Sequence, residues 1–211
     1  MIQVIPEIVQ KNYTGKVESV FEIGSRDGND AVQISQAFRI QPSWVHVFEP
    51  HPDLSRQIGY THPLVNVHQL ACSNVTGKLP FYSCILDKET NWGMSSLRNN
   101  SASYDDKRYA KIEVDVVRMD EWMNQNAQDS IDLLKLDVEG CAWEVLDGFG
   151  SRLKDVKIIH VECERHQFWE GQKLFSDTIQ QLLPTHDLVF CYDQGGQSDS
   201  IWISREWTTK K

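Results

Sequence analysis

The chain has 211 residues, of which 40% are hydrophobic and 24% charged, an ordinary composition for one large soluble domain. Its formal net charge of −9, without a block of five or more Lys or Arg, excludes nucleic-acid backbone binding as its main business. No apolar run approaches the ~20 residues of a membrane span, and the first residues, "MIQVIPEIVQKNYTGK", do not read as a secretory signal.

Five cysteines (Cys72, Cys84, Cys141, Cys163 and Cys191) are scattered singly, as buried thiols of a reducing compartment are, so the expected location is the cytoplasm. With no repeat, low-complexity tract or flexible linker, residues 1–211 are expected to form a single domain.

Residues 1–16 suggest a short leading helix or arm. "VESVFEIG" (17–24) reads as a buried strand. Apolar residues at 31, 34, 37 and 38 give "NDAVQISQAFRI" (29–40) a helical period, with Asp27 or Asn29 as its cap. "SWVHVFEPHP" (43–52) is a second strand, "PDLSRQIGYTH" a short helix, and "LVNVHQLACS" (64–73) a third strand. This alternation implies parallel strands with right-handed crossovers.

"LPFYSCIL" (79–86) and "KIEVDVVRM" (111–119) then alternate as an inserted strand pair around the polar stretch 87–110. "MDEWMNQN" is a short helix, "SIDLLKLDVEG" (130–140) a buried strand, "CAWEVLDGFGSRL" a helix and "VKIIHVECE" (156–164) a further strand. After the helix "GQKLFSDTIQQLLP", "HDLVFCYD" and "SIWISREW" flank a Gly-Gly turn and read as an antiparallel hairpin. Such a terminal hairpin leaves an edge open to a second copy, so a homo-oligomer is expected to be possible.

An open, mostly parallel sheet binds ligands beyond the carboxyl ends of its strands. Four such ends converge: Glu22–Gly28, Glu49–Pro52, Ala71–Ser73 and Asp137–Gly140. Glycines at 24 and 28 allow a tight turn and close backbone approach, and amides at the next helix start favour an anion. The spacing GxGxxG is absent because residue 26 is Arg, so a pyrophosphate site is poorly supported. Glu49, at the end of the second strand, is placed to bind a ribose diol. A nucleoside without pyrophosphate, carrying a carboxylate and an amine at its far end, suits S-adenosylmethionine. Its ribose would go to Glu49 and its methionine along 22–28, with Glu22 assisting the ammonium.

The segments "FEIGSRDGN", "VFEPHP", "ACSNVTGKLPFY", "GMSSL" and above all "IDLLKLDVEGCAWEVLDGF" resemble the FkbM family of S-adenosylmethionine-dependent methyltransferases, in order, over roughly residues 17 to 165. The resemblance implies a class I methyltransferase, Rossmann-like α/β fold: a mostly parallel seven-stranded sheet with a C-terminal antiparallel hairpin and the inserted pair near 79–119. It implies, too, O-methylation of a hydroxyl on a sugar or other natural product. Glu22, Gly24 and Gly28, with Ser25 and Asn29 between and after them, match the first cofactor motif. Glu49 and Pro50 match the ribose-binding strand end, Ala71 and Ser73 the adenine side, and Asp137, Glu139 and Gly140 the fourth-strand signature. Arg26 and Asp27 depart from the family pattern, as do Ala142 and Trp143 where an acidic residue is usual.

Methyl transfer from a sulfonium needs alignment of acceptor, carbon and sulfur, exclusion of water and removal of the hydroxyl proton. Asp137, Glu139 and Glu162 are the candidate catalytic residues, with Asp137 facing the methyl and Glu139 or Glu162 taking the proton or orienting the acceptor. Capping of the following helix is the other use open to Asp137 and Glu139. Lys135, mid-strand, is expected to be a buried cation paired with a carboxylate. Mg²⁺ at Asp137 and Glu162, as in catechol-type O-methyltransferases, is possible, although no metal site follows from the spacing. The stretch 87–110 would form the acceptor side, with Trp92, Ser95, Ser96 and Arg98 contacting a small polar molecule. A non-catalytic domain that binds S-adenosylmethionine or another nucleoside is the alternative of a different class.

Overall fold

The computed structural model describes residues 2–84, 94–99 and 109–209. After a 3-10 turn (Ile2–Val4), the elements in chain order are α1 (Ile5–Asn12), β1 (Val20–Ile23), α2 (Asn29–Phe38), β2 (Val45–Phe48), α3 (Pro52–Thr61), β3 (Asn66–His68), β4 (Ala71–Cys72), β5 (Gly77–Cys84), β6 (Tyr109–Val117), α4 (Met119–Gln125), β7 (Ile131–Leu136), α5 (Ala142–Asp147), β8 (Val156–Glu164), α6 (Phe175–Leu182), β9 (His186–Asp193) and β10 (Gln197–Ser204).

Seven strands form one sheet in the order β3-β2-β1-β7-β8-β10-β9. The first four pairings along it are parallel, and β10 joins β8 and β9 antiparallel. The chain moves outward from β1 through β2 to β3, then returns to the other side of β1 as β7. The strand order therefore reverses between β1 and β7, where an open α/β sheet leaves a crevice at its carboxyl edge.

The sequence explains which strands are central. β1 and β7 are buried at every position, as expected of strands covered on both faces. Val20 and Leu133 pack with Ala31, Ile34 and Val9 on the face carrying α1 to α3. Phe21, Ile23, Leu134 and Leu136 pack with Trp122, Val145 and Leu182 on the face carrying α4 to α6. The result is a helix–sheet–helix sandwich, the class I methyltransferase architecture expected from the sequence, closed by antiparallel strands at its C-terminal end.

Two expectations change in detail. The stretch 64–73 is two short strands in different sheets. β3 pairs with β2 only as far as His68 opposite Phe48, after which Ala71 and Cys72 pair with Val116 and Val117 of β6. The inserted pair is thereby a three-stranded sheet, β4-β6-β5. In addition, Asp27 and Asn29 do not cap α2: Gly28 occupies the cap in the left-handed region, and Asp27 Oδ1 accepts the Asn29 N–H at 3.0 Å.

His46 and His68 sit side by side on β2 and β3, with ring nitrogens 3.1 Å apart. They stack on Phe21 and Phe48, under the edge of Trp122. Burial, then the neighbouring His68, pushes His46 down to about 4, and burial lowers His68 as well. Below its ordinary value the unfolded chain binds a proton that folded His46 refuses, so this contribution to stability is lost as pH falls from about 6.5 towards 4. The raised carboxyl groups of the crevice act in the opposite sense, so the test is the difference from wild type: on going from pH 7 to pH 5, the urea midpoint of His46→Phe should fall less, or rise more, than that of wild type. An equal change in both would refute the assignment.

Candidate active site

The site begins with Glu22. Its carboxylate is completely buried, yet every contact it makes is specific. Oε2 accepts the Ser25 hydroxyl at 2.8 Å and the Ala31 N–H at 3.1 Å, so a residue of β1 caps the first turn of α2. Oε1 meets the Lys135 ammonium at 3.1 Å. Lys135, on the neighbouring β7, also reaches Asp30 at 2.9 Å and Asp137 at 3.4 Å. Burial alone would pull this ammonium down, but Glu22, Asp137 and Asp30 together hold it above its ordinary value.

The turn after β1 is held from two sides. Ser25 Oγ accepts the Gly28 N–H at 3.0 Å, and Glu49 Oε2, from the end of β2, accepts the Arg26 N–H at 2.8 Å. Glu49 Oε1 accepts the His51 N–H at 2.8 Å. Burial pushes the Glu49 carboxyl up to about 7, with the His51 and Arg26 amides opposing the rise. At Gly24, φ is +79°, and a Cβ would lie 1.9 Å from the Asp137 carbonyl oxygen. Only glycine lets β1 and β7 end this close together.

Above these ends lies a cavity of about 730 Å³, within the ~300–1,000 Å³ typical of small-molecule sites. One side is lined by Gly24, Ser25, Asn29, Glu49 and Pro50, with Leu70 to Cys72 beyond. The other is acidic: Asp137, Glu139, Glu162 and Glu164 line it, with Phe168 and Trp169 as apolar wall. Single carboxylate oxygens of Asp137, Glu139 and Glu162 all lie within 4.8 Å of one another. Burial, then the charges of Asp137, Glu164 and Glu162, raises Glu139 well above the ordinary carboxylate range. Burial, then Asp137 and Asp199, raises Glu162 to about 8. Both carboxyl groups thus hold their protons more tightly than an ordinary carboxylate does, and a positive charge placed beside them would favour release.

Residues 22–192 match the "Methyltransferase FkbM domain" family. The chain belongs to the FkbM methyltransferase family. The protein is accordingly an S-adenosylmethionine-dependent methyltransferase, as its sequence suggested. It is 29% identical over 192 residues to "2-O-methyltransferase NoeI" of Sinorhizobium fredii (strain NBRC 101917 / NGR234), covering 86% of this chain and 77% of the relative. It is similar in fold to a crystal structure of methyltransferase FkbM from Methylobacillus flagellatus KT, with a TM-score of 0.57 at 12% identity, covering 89% of this chain and 43% of that one. A further similarity is to a TehB-like methyltransferase structure from Corynebacterium glutamicum ATCC 13032 Kitasato, with a TM-score of 0.47 at 10% identity over 97% of this chain and 86% of that one.

In this FkbM methyltransferase the crevice gathers Gly24, Ser25, Asn29, Glu49, Pro50, Ala71, Asp137, Glu139 and Glu162 around one cavity. Other expected residues stand apart. Glu22 turns away from the cavity into the capping and ion-pair network, because Ala31 and Lys135 offer it better partners than a ligand would. Gly28 lies against Ile58 and His62 of the α3 region, and Ser73 packs against Gly148. Ser95 and Ser96 do line the cavity; the Ser95 hydroxyl accepts the Cys84 N–H, while Ser96 and Arg98 bond the turn after β7. Trp92, with most of 87–110, lies outside the described residues. Cys141 caps α5 without a side-chain bond, so Asp137 and Glu139 are not spent as caps.

Sequence reasoning passed over Asp30, Glu164, Phe168 and Trp169. Asp30 is a first-turn acid of α2 and carries no motif of its own. The aromatic pair follows β8 in a segment with no local motif, although Gly140 hints at it, since a Cβ there would lie 2.4 Å from the Trp169 ring. Lys135→Met would leave Glu22 buried without its cation and should cost about 3–5 kcal/mol of stability in urea unfolding. Adding Glu22→Gln should recover part of that loss; a single variant as stable as wild type would contradict the network.

Proposed function

We propose that this methyltransferase transfers the methyl group of S-adenosylmethionine to a hydroxyl of a small, polar acceptor of the sugar type. The observation that carries this reading is the carboxyl group of Glu139, set beside Asp137 and Glu162 at the end of the cofactor crevice. Of the three, Glu139 alone is held in the left-handed backbone region, at φ +46°, a cost that a non-glycine residue bears where its direction matters. The name of the Sinorhizobium relative, a 2-O-methyltransferase, supports hydroxyl as the acceptor group.

The ribose diol donates to Glu49, and the methionine part lies along the turn from Gly24 to Asn29. Asp137 faces the sulfonium. The acceptor oxygen attacks the methyl carbon, the carbon–sulfur bond breaks, and its electron pair stays on sulfur as S-adenosylhomocysteine leaves. Glu139 takes the hydroxyl proton while Glu162 orients the acceptor. The arriving sulfonium lowers the raised carboxyl groups, so the base is freed when the donor is bound. Hard oxygens at this spacing also suit Mg²⁺, which would supply Lewis-acid activation of the acceptor.

Incubation with methyl-labelled S-adenosylmethionine and a panel of methyl glycopyranosides, read by mass spectrometry, should show transfer to a hydroxyl. Glu139→Gln should lower kcat about 10²–10⁴-fold. Tight S-adenosylhomocysteine binding with no product across a wider hydroxylated panel would favour a binding-only domain, and activity that survives EDTA would exclude the metal. Glu49→Ala should weaken S-adenosylhomocysteine binding about 10–100-fold, the loss of hydrogen bonds to a charged group; an unchanged Kd would overturn its role. Calorimetry at pH 7 in two buffers of different ionisation enthalpy should show more protons released on binding S-adenosylmethionine than on binding S-adenosylhomocysteine. Equal release would place the sulfonium away from the carboxyl cluster.

A further inference from the structure

Residues 94–99 make a strap between three parts of the molecule. Ser96 pairs with Tyr82 of β5 through two backbone hydrogen bonds, of 2.8 and 3.2 Å. Its hydroxyl is 1% exposed with its residue and donates to the Glu139 carbonyl at 2.6 Å. The same hydroxyl accepts the Arg98 N–H at 3.0 Å. The Arg98 guanidinium then fans out over the far side of the turn. Nε donates to the Gly140 carbonyl at 2.9 Å, Nη1 to the Glu170 carbonyl at 2.7 Å, and Nη2 pairs with Glu144 of α5. Asn99 closes the strap by accepting the Glu170 N–H at 3.0 Å.

The two carbonyls so held belong to Glu139 and Gly140, consecutive residues with φ of +46° and +80°. The glycine adopts this region freely; the glutamate does not. Two left-handed residues in succession turn the chain back from β7 and send the Glu139 side chain into the cavity beside Asp137 and Glu162. The backbone of that turn needs partners for its carbonyls, since α5 has yet to begin, and Ser96 and Arg98 supply them. Arg98 is not part of the cavity lining, and its charge is matched by Glu144. Three acceptors on three different nitrogens fix the plane of the guanidinium against the turn.

We infer that Ser96 and Arg98 are positioning residues: by holding the carbonyls of the turn they fix the direction in which Glu139 presents its carboxyl group to the acceptor. This rests on the reading of the cavity as a methyl-transfer site. It gives Arg98, which lies outside the cavity lining, a role other than the expected acceptor contact, while Ser96 still lines the cavity; and it gives the inserted 79–119 region a second use, since the strap carries the position of β5 to the catalytic turn.

The test compares wild type with Arg98→Met, Arg98→Lys and Ser96→Ala. The readouts are S-adenosylhomocysteine affinity by calorimetry and kcat and KM with whichever methyl glycopyranoside of the panel wild type turns over. Misplacement of Glu139 by about 1 Å should lower kcat on the order of 10²-fold in Arg98→Met, with acceptor KM and cofactor Kd each within about threefold. Arg98→Lys, which retains a cation for Glu144 but not the fork to both carbonyls, should recover only part of kcat. A raised KM with unchanged kcat would make Arg98 an acceptor contact and overturn the inference, as would unchanged kinetics in both Arg98→Met and Ser96→Ala. If wild type turns over no glycoside, the proposed reaction fails by itself, and the positioning claim is read without an acceptor. The carboxyl ¹³Cδ resonance of Glu139, assigned through Glu139→Gln in the S-adenosylhomocysteine complex, should move in Arg98→Met while the carboxyl ¹³Cγ resonance of Asp137 stays. An unmoved Glu139 resonance overturns it.

Discussion

The ammonium of Lys135 sits where three elements must meet. Glu22 reaches it from β1, Asp30 from the first turn of α2, and Asp137 from the end of its own strand. In a sheet interior an isolated charge of either sign would be prohibitive. The cluster is tolerable only with all members in place, so it fixes β1, β7 and α2 relative to one another at the point where the strand order reverses. Glu22 adds a second constraint by capping α2 at Ala31, which sets how close the helix start comes to the crevice.

From that constraint follows the division of the cavity. On the β1–β2 side, Ser25 and Glu49 spend most of their hydrogen bonds on the turn itself, leaving a preformed cradle of amides with one raised carboxyl group. On the β7–β8 side, four carboxyl groups share a small space, with Lys135 the nearest cation beneath Asp137. Burial first, and then their mutual repulsion, raise Glu139 and Glu162 above the ordinary carboxylate range. Phe168 and Trp169 give the acidic side an apolar border, Trp169 buried and Phe168 exposed at its edge.

The sequence made the architecture readable where one strand has one fate. "VFEI" and "IDLLKL" are buried on both faces, and their apolar runs say so. The turn at Gly24 was readable because a left-handed residue pressed against a neighbouring backbone is a glycine's task. Residues whose role is set by a distant partner were not. Glu22 resembles a ligand group until Ala31 and Lys135 are seen to claim it. Ser96 and Arg98 lie in a polar stretch that reads as a loop facing the acceptor, and only the fold brings them onto the carbonyls of Glu139 and Gly140. The break at 69–70 was hidden too, since nothing local in "LVNVHQLACS" says that its two halves join different sheets. Placement of Asp30 beside Lys135 depends on the helix phase of α2, which a cap at Gly28 sets and a cap at Asp27 would not.

The central claim is that the β1–β7 reversal point holds an adenosyl sulfonium between a ribose-binding carboxylate and a carboxyl cluster. A crystal structure of the chain with S-adenosylhomocysteine tests it most directly. The account predicts both ribose hydroxyls within hydrogen-bond distance of Glu49 and the sulfur turned towards Asp137, with Lys135 still bound to Glu22. A nucleoside seated elsewhere, or a sulfur facing away from Asp137 and Glu139, would contradict it.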